Sequence, residues 1–278
     1  MKESPLKAAL AVLSVLVLGS CDTEITGLQD GETMVVRVDV AGGIAAADYS
    51  FEVQDDGAVL GIRCLNVCDF RPGDTLGRLT PAQRDAVHAT VVASGLPDSG
   101  RPVDFGTECC DRFTYRVIYT SGDVVRSFTG GVESLPGPLR KLVRTLHLVY
   151  LDTPPLIVSQ ATGLDGFSLD PLTIVDARVE DDILRVDLTY GGGCDLHDLD
   201  AVAHTGWMES NPVQVGVALT HDDHGDPCDA IVGRTLLFDL EPLKDAYFAA
   251  YGEGAATLLL NVKPGAPGGS GLQVPYSF

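Results

Sequence analysis

Basic side chains are scarce in this sequence. Its 278 residues include 19 Lys and Arg against 39 Asp and Glu, which gives a formal net charge of −20 at pH 7. Nucleic acids are held through basic surfaces that neutralise phosphates, so this charge excludes them as partners. It also opposes direct binding to anionic lipid. The charge is typical of a highly soluble surface, and it is compatible with a cationic partner.

Signatures of catalysis are also missing. The sequence contains no G-x-S-x-G, no H-E-x-x-H, no P-loop and no dinucleotide-binding glycine pattern. These absences remove several common hydrolase, metalloprotease and nucleotide-dependent classes. A pair such as His221 and Asp226 has the chemistry for proton transfer, but no nucleophile accompanies it in the sequence. The sequence therefore favours a protein that binds over one that catalyses.

Long apolar runs are absent as well. The apolar stretch near the N-terminus, residues 8–18, is shorter than the roughly 20 residues that a transmembrane helix needs. Two lysines precede this stretch, and a glycine and a serine follow it. That arrangement predicts a secretory signal peptide over residues 1–20.

The end of this segment, Leu18-Gly19-Ser20-Cys21, resembles the lipobox of bacterial lipoproteins. The resemblance implies cleavage before Cys21 and lipid attached to Cys21, with residues 21–32 as a tether. Several acyl chains on one residue give stable anchoring. The resemblance therefore implies a protein of the bacterial cell envelope that contacts the membrane through lipid and faces away from the cytoplasm. The alternative is an ordinary secretory signal with a cysteine there by chance.

The remaining cysteines are even in number. They are Cys64, Cys68, Cys109, Cys110, Cys194 and Cys228. In an exported chain this predicts disulfides. We expect Cys194 to pair with Cys228, since two lone cysteines of one domain normally pair in an oxidising envelope. Adjacent cysteines are strained partners, so we expect Cys109 and Cys110 to bond to Cys64 and Cys68, in either combination. Zinc held by thiolates is the alternative for both groups.

Residues 33–150 are predicted to form an α+β domain. Alternating apolar residues predict its strands over residues 33–40, 48–54, 58–64, 111–120 and 123–128. A capping box of Thr80 and Gln83 predicts a helix over residues 80–95, and apolar residues at helical spacing predict another over 136–149. Four of these five strands, in the order ββ-α-ββ-α, predict a four-stranded antiparallel sheet with two helices on one side.

Two stretches of this region resemble emfourin-like proteins, small inhibitors of thermolysin-type metalloproteases. They are VRVDVAGGIAAADYSFEV and CDRFTYRVIYTSGDVVRSFTGGVESLPGPLRKLVRTL. The matching elements are Phe113, Tyr115, Gly122, Pro136, Leu139, Leu142 and Leu146. The resemblance covers residues 33–149 and implies the fold, together with an exported protease as partner. The four cysteines of this region depart from the family pattern.

Residues 151–278 have a different character. Short apolar runs separated by turns predict an all-β, sandwich-like antiparallel domain. The blocks GGGC-x-x-H, MESNPVQV, LTHDDHGDPCDA and LLFDLEPLK resemble an exported bacterial family of unassigned function over residues 175–262. This second resemblance implies no activity.

Four of the six histidines lie between residues 197 and 224. His197, His221 and His224 with Asp226 are therefore candidate metal ligands. Imidazole with carboxylate suits zinc, and the aspartates of this segment suit calcium. The alternative is that these side chains hydrogen-bond the backbone around a loop closed by a disulfide.

The sequence as a whole predicts a lipid-anchored cell-envelope protein that binds or interacts with a partner. Inhibition of a protease by residues 33–150 is the sharpest form of this hypothesis. The competing hypothesis is a metal-binding protein or a metal-dependent enzyme that uses the His and Asp residues near residue 221.

Overall fold

The computed structural model describes residues 33–106, 112–160 and 163–278. The predicted signal peptide, the lipidation site Cys21, the tether up to residue 32, and Cys109 and Cys110 lie outside these residues. Within the described part of the chain, no helix is long and apolar enough to cross a membrane.

The secondary structure of the described residues is mostly strand. The strands are β1 (Val35–Gly42), β2 (Ala47–Val53), β3 (Ala58–Asn66), β4 (Thr75–Arg78), β5 (Val103–Asp104), β6 (Phe113–Ser121), β7 (Val124–Gly131), β8 (Ile157–Ser159), β9 (Leu172–Glu180), β10 (Ile183–Gly192), β11 (Asp198–Met208), β12 (Val213–Asp222), β13 (Ala230–Asp239), β14 (Thr257–Pro264) and β15 (Leu272–Ser277). The helices are α1 (Pro81–Ala93), α2 (Gly137–Tyr150) and α3 (Glu241–Tyr251).

The first sheet has seven strands in the order β4-β3-β2-β1-β6-β7-β5. Its pairs are antiparallel except for β5 with β7. Val36, Val38 and Val40 of β1 are buried because successive side chains of a strand point to opposite faces. They share one hydrophobic cluster with Leu142 and Leu146 of α2, so the apolar face of the sheet is covered by helix.

Both helices of this region form where the sequence predicts them. The Thr80 hydroxyl accepts a hydrogen bond from the Gln83 N–H, and the Gln83 side-chain oxygen accepts one from the Thr80 N–H, both at 3.1 Å. Pro81 occupies the first turn of α1, where its missing N–H costs no intrahelical bond. Leu139, Leu142 and Leu146 belong to the buried face of α2.

The second half of the chain contains two further sheets. One has three strands in the order β13-β10-β9, and the other has five in the order β15-β14-β12-β11-β8. Leu184 and Val186 of β10 lie in one hydrophobic cluster with Val215 of β12 and Leu260 of β14. The core of this half therefore lies between the two sheets.

The predicted fold class, an α+β domain followed by a separate antiparallel sandwich, is wrong. The structure is mainly strand, with 49% strand, 16% helix and three sheets. The first sheet has seven strands in place of the predicted four, because the predicted strand at 58–64 joins it as β3 and because β4 and β5 extend it. Strands of four and two residues are too short for alternation to reveal them. In the second half, β8 pairs with β11 and β12 pairs with β14 in parallel, so the sheet is mixed.

Polar side chains join the two halves. The Thr80 hydroxyl donates to Asp200 Oδ1 at 2.6 Å, and Gln83 Nε2 donates to the Leu199 carbonyl at 3.1 Å. Further along, Arg144 Nη1 lies 2.7 Å from Asp239 Oδ2. The two hydrophobic clusters span residues 34–149 and 156–276 and are thus bridged by buried hydrogen bonds. The predicted domain boundaries, 33–150 and 151–278, stay a prediction.

The predicted disulfides between Cys64 or Cys68 and the 109/110 pair are wrong. Cys64 is bonded to Cys68, with Cα atoms 5.8 Å apart. β3 ends at Asn66, and Val67 adopts a φ of 59°, which reverses the chain between the two cysteines. Cys64 and Cys68 are therefore close enough to pair across a local turn, and they do not form the long-range disulfides that the sequence predicted.

Candidate functional site

Two connections of the second half run side by side. Residues 193–197 lead from β10 in the three-stranded sheet to β11 in the five-stranded sheet. Residues 223–229 lead from β12 back to β13. Because β10 pairs with β13 and β11 pairs with β12, the two connections cross between the sheets at the same end.

A disulfide links these two connections. The structure joins Cys194 to Cys228, the pair that the sequence favours, with Cα atoms 5.9 Å apart and a sequence separation of 34. Closing a loop of this size stabilises the fold by about 4 kcal/mol in the chain-entropy account. We call Tyr190, His197, His221, Asp226 and this disulfide the latch.

Asp226 is the acceptor at the centre of the latch. Its Oδ2 accepts hydrogen bonds from the N–H groups of Gly193 at 2.8 Å, Cys194 at 2.9 Å and Asp195 at 3.1 Å. Its Oδ1 accepts one from the Cys228 N–H at 2.9 Å. The Cys228 N–H and then the other N–H donors hold the pKa of Asp226 well below its usual range, so the carboxylate is ionised at neutral pH.

Glycine is required beside this cluster. Gly192 has a φ of 144°, and a Cβ there would lie 2.4 Å from His197 Cε1. Gly192 therefore lets the backbone approach the imidazole ring, and the next residue, Gly193, donates its N–H to Asp226.

Two buried histidines form a chain of hydrogen-bond contacts that begins at Asp226. His197 Nε2 lies 3.1 Å from Asp226 Oδ2, and His197 Nδ1 lies 2.8 Å from His221 Nε2. His221 Nδ1 lies 3.2 Å from the Pro171 carbonyl oxygen. Tyr190 packs on both imidazoles, with ring centroids 4.8 Å apart in each case. Burial, and then the charge of His197, lowers the pKa of His221.

His224 is outside the latch. Its backbone has a φ of 51° and its side chain is exposed. The ring lies 3.3 Å from an Asp198 oxygen and 3.4 Å from an Asp222 oxygen. The structure therefore brings together three of the four predicted metal ligands and leaves His224 at the surface.

The latch does not fit a zinc or calcium ion. Each ring nitrogen of His197 and His221 faces a hydrogen-bonding group, so their lone pairs do not converge on a common point. Two clusters of metal-type ligand atoms occur in the described residues: Cys194, Asp226 and Cys228, and Asp170, Asp222 and Asp223. In the first, both sulfurs are in the disulfide. The second consists of acidic side chains alone, which commonly cluster without an ion.

A groove on the surface is the second candidate site, and the sequence did not predict it. It has a volume of about 1030 Å³ and lies between α1, α2, β8 and α3. Ala82, Ala86, Ala89 and Ala93 line one wall, and Ile157 and Val158 of β8 form part of the floor. The alanines are spaced by four, three and four residues, which places them on one face of α1.

The charges around this groove are mostly negative. Asp85, Asp245 and Glu253 line it, against a single lysine, Lys141. Lys141 is ion-paired with Asp245, so the lysine is already neutralised. The groove thus combines apolar walls with an acidic rim.

No family model and no curated protein matches this chain. Solved structures that resemble it include a NigD-like immunity protein from Bacteroides caccae, with 14% identity, 89% of this chain and 95% of that chain covered, and a TM-score of 0.36. A protein of unknown function from Bacteroides vulgatus has 10% identity, coverage of 88% and 90%, and a TM-score of 0.34. A protein from Bacteroides fragilis that is named as a lipoprotein has 8% identity, coverage of 63% and 86%, and a TM-score of 0.32. Likeness at this level carries no argument about function.

Proposed function

We propose that this chain is a lipid-anchored protein of the bacterial cell envelope that works by binding a segment of another polypeptide in the groove between α1, α2, β8 and α3. The predicted leader over residues 1–20, followed by Cys21, supports export and anchoring. Two disulfides, Cys64–Cys68 and Cys194–Cys228, support an oxidising compartment. Protease inhibition and a protease partner stay predictions.

The shape and charge of the groove carry the binding proposal. An alanine face lets the backbone of a partner helix approach α1 closely, because methyl groups leave the space that longer side chains fill. α1 has 13 residues, and a helix of that length spans about 20 Å. The partner is therefore a helical segment of similar length with an apolar face.

The acidic rim of the groove indicates which residues border the apolar face of the partner helix. Asp85 and Glu253 stand on the rim, and the chain as a whole carries a formal charge of −20. Complementary charge speeds association and disfavours partners of like charge. The apolar face of the partner is therefore bordered by Lys or Arg, which makes it a cationic amphipathic helix.

The binding test uses the mature chain and a labelled helical peptide of about 14 residues with a leucine face and lysine flanks. A peptide with glutamate in place of each lysine is the comparison. We expect the lysine peptide to bind at least about tenfold more tightly in a fluorescence anisotropy titration. Equal binding of both peptides, or binding of neither, would refute the proposed groove function.

Two tryptophan variants on α1 locate the binding surface. Ala89 lines the groove, whereas Val92 is 52% exposed on the same helix and lies outside it. Ala89→Trp fills the groove, so we expect it to weaken lysine-peptide binding about tenfold or more. Val92→Trp is the matched control and should bind as the wild type does. Equal weakening by both variants would place the peptide elsewhere.

Lipid anchoring is tested separately in cells. Incorporation of an alkyne-labelled fatty acid and recovery in the membrane fraction are expected for the wild type and lost in Cys21→Ser. Cys64→Ser is the control for a cysteine without lipid, and it should still be labelled. Equal labelling of the wild type and Cys21→Ser would remove the anchor from the proposal.

A further inference from the structure

The hydrogen-bond chain of the latch has an acceptor at each end. At one end, the Pro171 carbonyl oxygen faces His221 Nδ1. At the other end, the Asp226 carboxylate faces His197 Nε2. A carbonyl and an ionised carboxylate can only accept, so each end requires a protonated ring nitrogen.

The contact in the middle requires a third proton. His197 Nδ1 and His221 Nε2 lie 2.8 Å apart, which is a hydrogen-bond distance, and one of the two nitrogens must therefore carry a proton. Two neutral imidazoles hold only two N–H protons between them. If both rings were neutral, one of the three contacts would oppose two lone pairs.

We infer that His197 is a doubly protonated, buried cation that pairs with Asp226 and pins together the two connections bridged by the Cys194–Cys228 disulfide. Its Nε2–H donates to Asp226 Oδ2, and its Nδ1–H donates to His221 Nε2. His221 is neutral, and its Nδ1–H donates to the Pro171 carbonyl. This arrangement supplies one proton to each contact.

The surroundings place the charge on His197 and not on His221. The His197 and Asp226 side chains are 1% and 0% exposed, so the carboxylate lies buried in direct contact with His197. Burial disfavours a charge on His221, whose carbonyl acceptor is neutral, and the lowered pKa of His221 agrees with a neutral ring. The other titratable or charged groups of the described residues near the pair are Tyr190, Asp170, Asp222, Asp198, Asp152, Arg78 and Arg234.

The His197–Asp226 pair contacts both connections. Asp226 belongs to the connection after β12, yet three of its four backbone donors, Gly193, Cys194 and Asp195, belong to the connection after β10. The His197–Asp226 contact therefore holds the two connections together beside the disulfide that joins them.

Nitrogen-detected NMR of the histidine rings counts these protons directly in the wild-type protein at pH 7. We expect His197 to carry a proton on both ring nitrogens and His221 on Nδ1 alone. A single N-bound proton on His197 at pH 7 overturns the inference.

A pair of aspartate variants separates the ion pair from the general charge of the loop. Asp226→Asn removes the carboxylate that faces His197, and we expect His197 then to lose its second proton at pH 7. Asp195→Asn changes the exposed side chain of the same loop and should leave both protons in place. Retention of both protons in a folded Asp226→Asn protein would contradict the inference. If that variant fails to fold, the wild-type measurement decides.

Discussion

Asp226 and Asp200 are two enclosed carboxylates in the second half of the molecule, and their surroundings shift their pKa values in opposite directions. Asp226 has four backbone N–H donors and an imidazole, and its pKa is lowered. Asp200 is held by the Thr80 hydroxyl at 2.6 Å, and burial raises its pKa to about 6.

The difference shows that the donors around a carboxylate decide whether burial raises its pKa. Burial penalises the charged form of each group, but the N–H donors and the imidazole of the latch compensate Asp226. At Asp200, the hydroxyl of Thr80 and the Gln83 side chain compensate only in part, and the Asp198 charge adds to the penalty of burial. The latch is therefore a satisfied cluster, whereas the Asp200 contact between the two halves is a strained one at neutral pH.

The largest expected effect comes from removing the Cys194–Cys228 disulfide beside Asp226. The double variant Cys194→Ala/Cys228→Ala opens a loop with a sequence separation of 34 and should lower the free energy of unfolding by about 4 kcal/mol. Denaturant unfolding monitored by circular dichroism measures the change.

The other disulfide is the natural control for this variant. Cys64→Ala/Cys68→Ala opens a loop with a separation of only 4 and should cost about 2 kcal/mol on the same account. Equal losses in the two double variants would show that loop-closure entropy does not explain the contribution of the latch disulfide.

The next largest effect is expected for Asp200→Asn, which should stabilise the protein to an extent that depends on pH. Because the pKa of Asp200 is raised from 3.8 to about 6, its favourable contribution is complete below pH 3.8 and is lost as pH rises through about 6. Asp200→Asn keeps an oxygen for the Thr80 hydroxyl and removes the charge. Above pH 6 it should therefore unfold with a free energy higher by at most about 3 kcal/mol.

Unfolding curves of the wild type and Asp200→Asn between pH 4.5 and 8 test this sign. The advantage of the variant should grow with pH up to about 6 and then level off. A constant difference across the range, or an advantage that grows towards acid pH, would contradict a strained Asp200.

The contents of the latch were largely predictable from the sequence, but the way they interact was not. Export predicted the pairing of Cys194 with Cys228, and clustering suggested that His197, His221 and Asp226 converge. The sequence could not show that the ring nitrogens bond to each other, because that depends on which ends of β11 and β12 meet. His224 was misplaced for a local reason, since its positive φ carries the side chain outwards to Asp198.

The helices of the first half were predictable, whereas the full extent of the sheets and the groove were not. The capping box indicated the start of α1, and the apolar stripe indicated α2. Each signal could be recognised because it consists of residues that lie close together in the sequence. The groove depends on contacts among α1, β8 and α3, which lie far apart in the sequence. Only the alanine spacing along α1 gave a local signal for it.

The smallest expected effect concerns Thr80, whose hydroxyl donates to Asp200, and it tests the contrast between Asp200 and Asp226. Thr80→Ala removes the hydroxyl that caps α1 and that donates to Asp200, and loss of such a cap typically costs about 1 kcal/mol. It also removes a donor that lowers the pKa of Asp200, so that pKa should rise further and the stability loss should be greater at pH 8 than at pH 4.5. Thr80→Ser keeps the hydroxyl and should restore both the stability and its pH profile. A loss that is the same at both pH values would assign Thr80 to the helix cap alone, and the strain at Asp200 would then depend on burial and on Asp198.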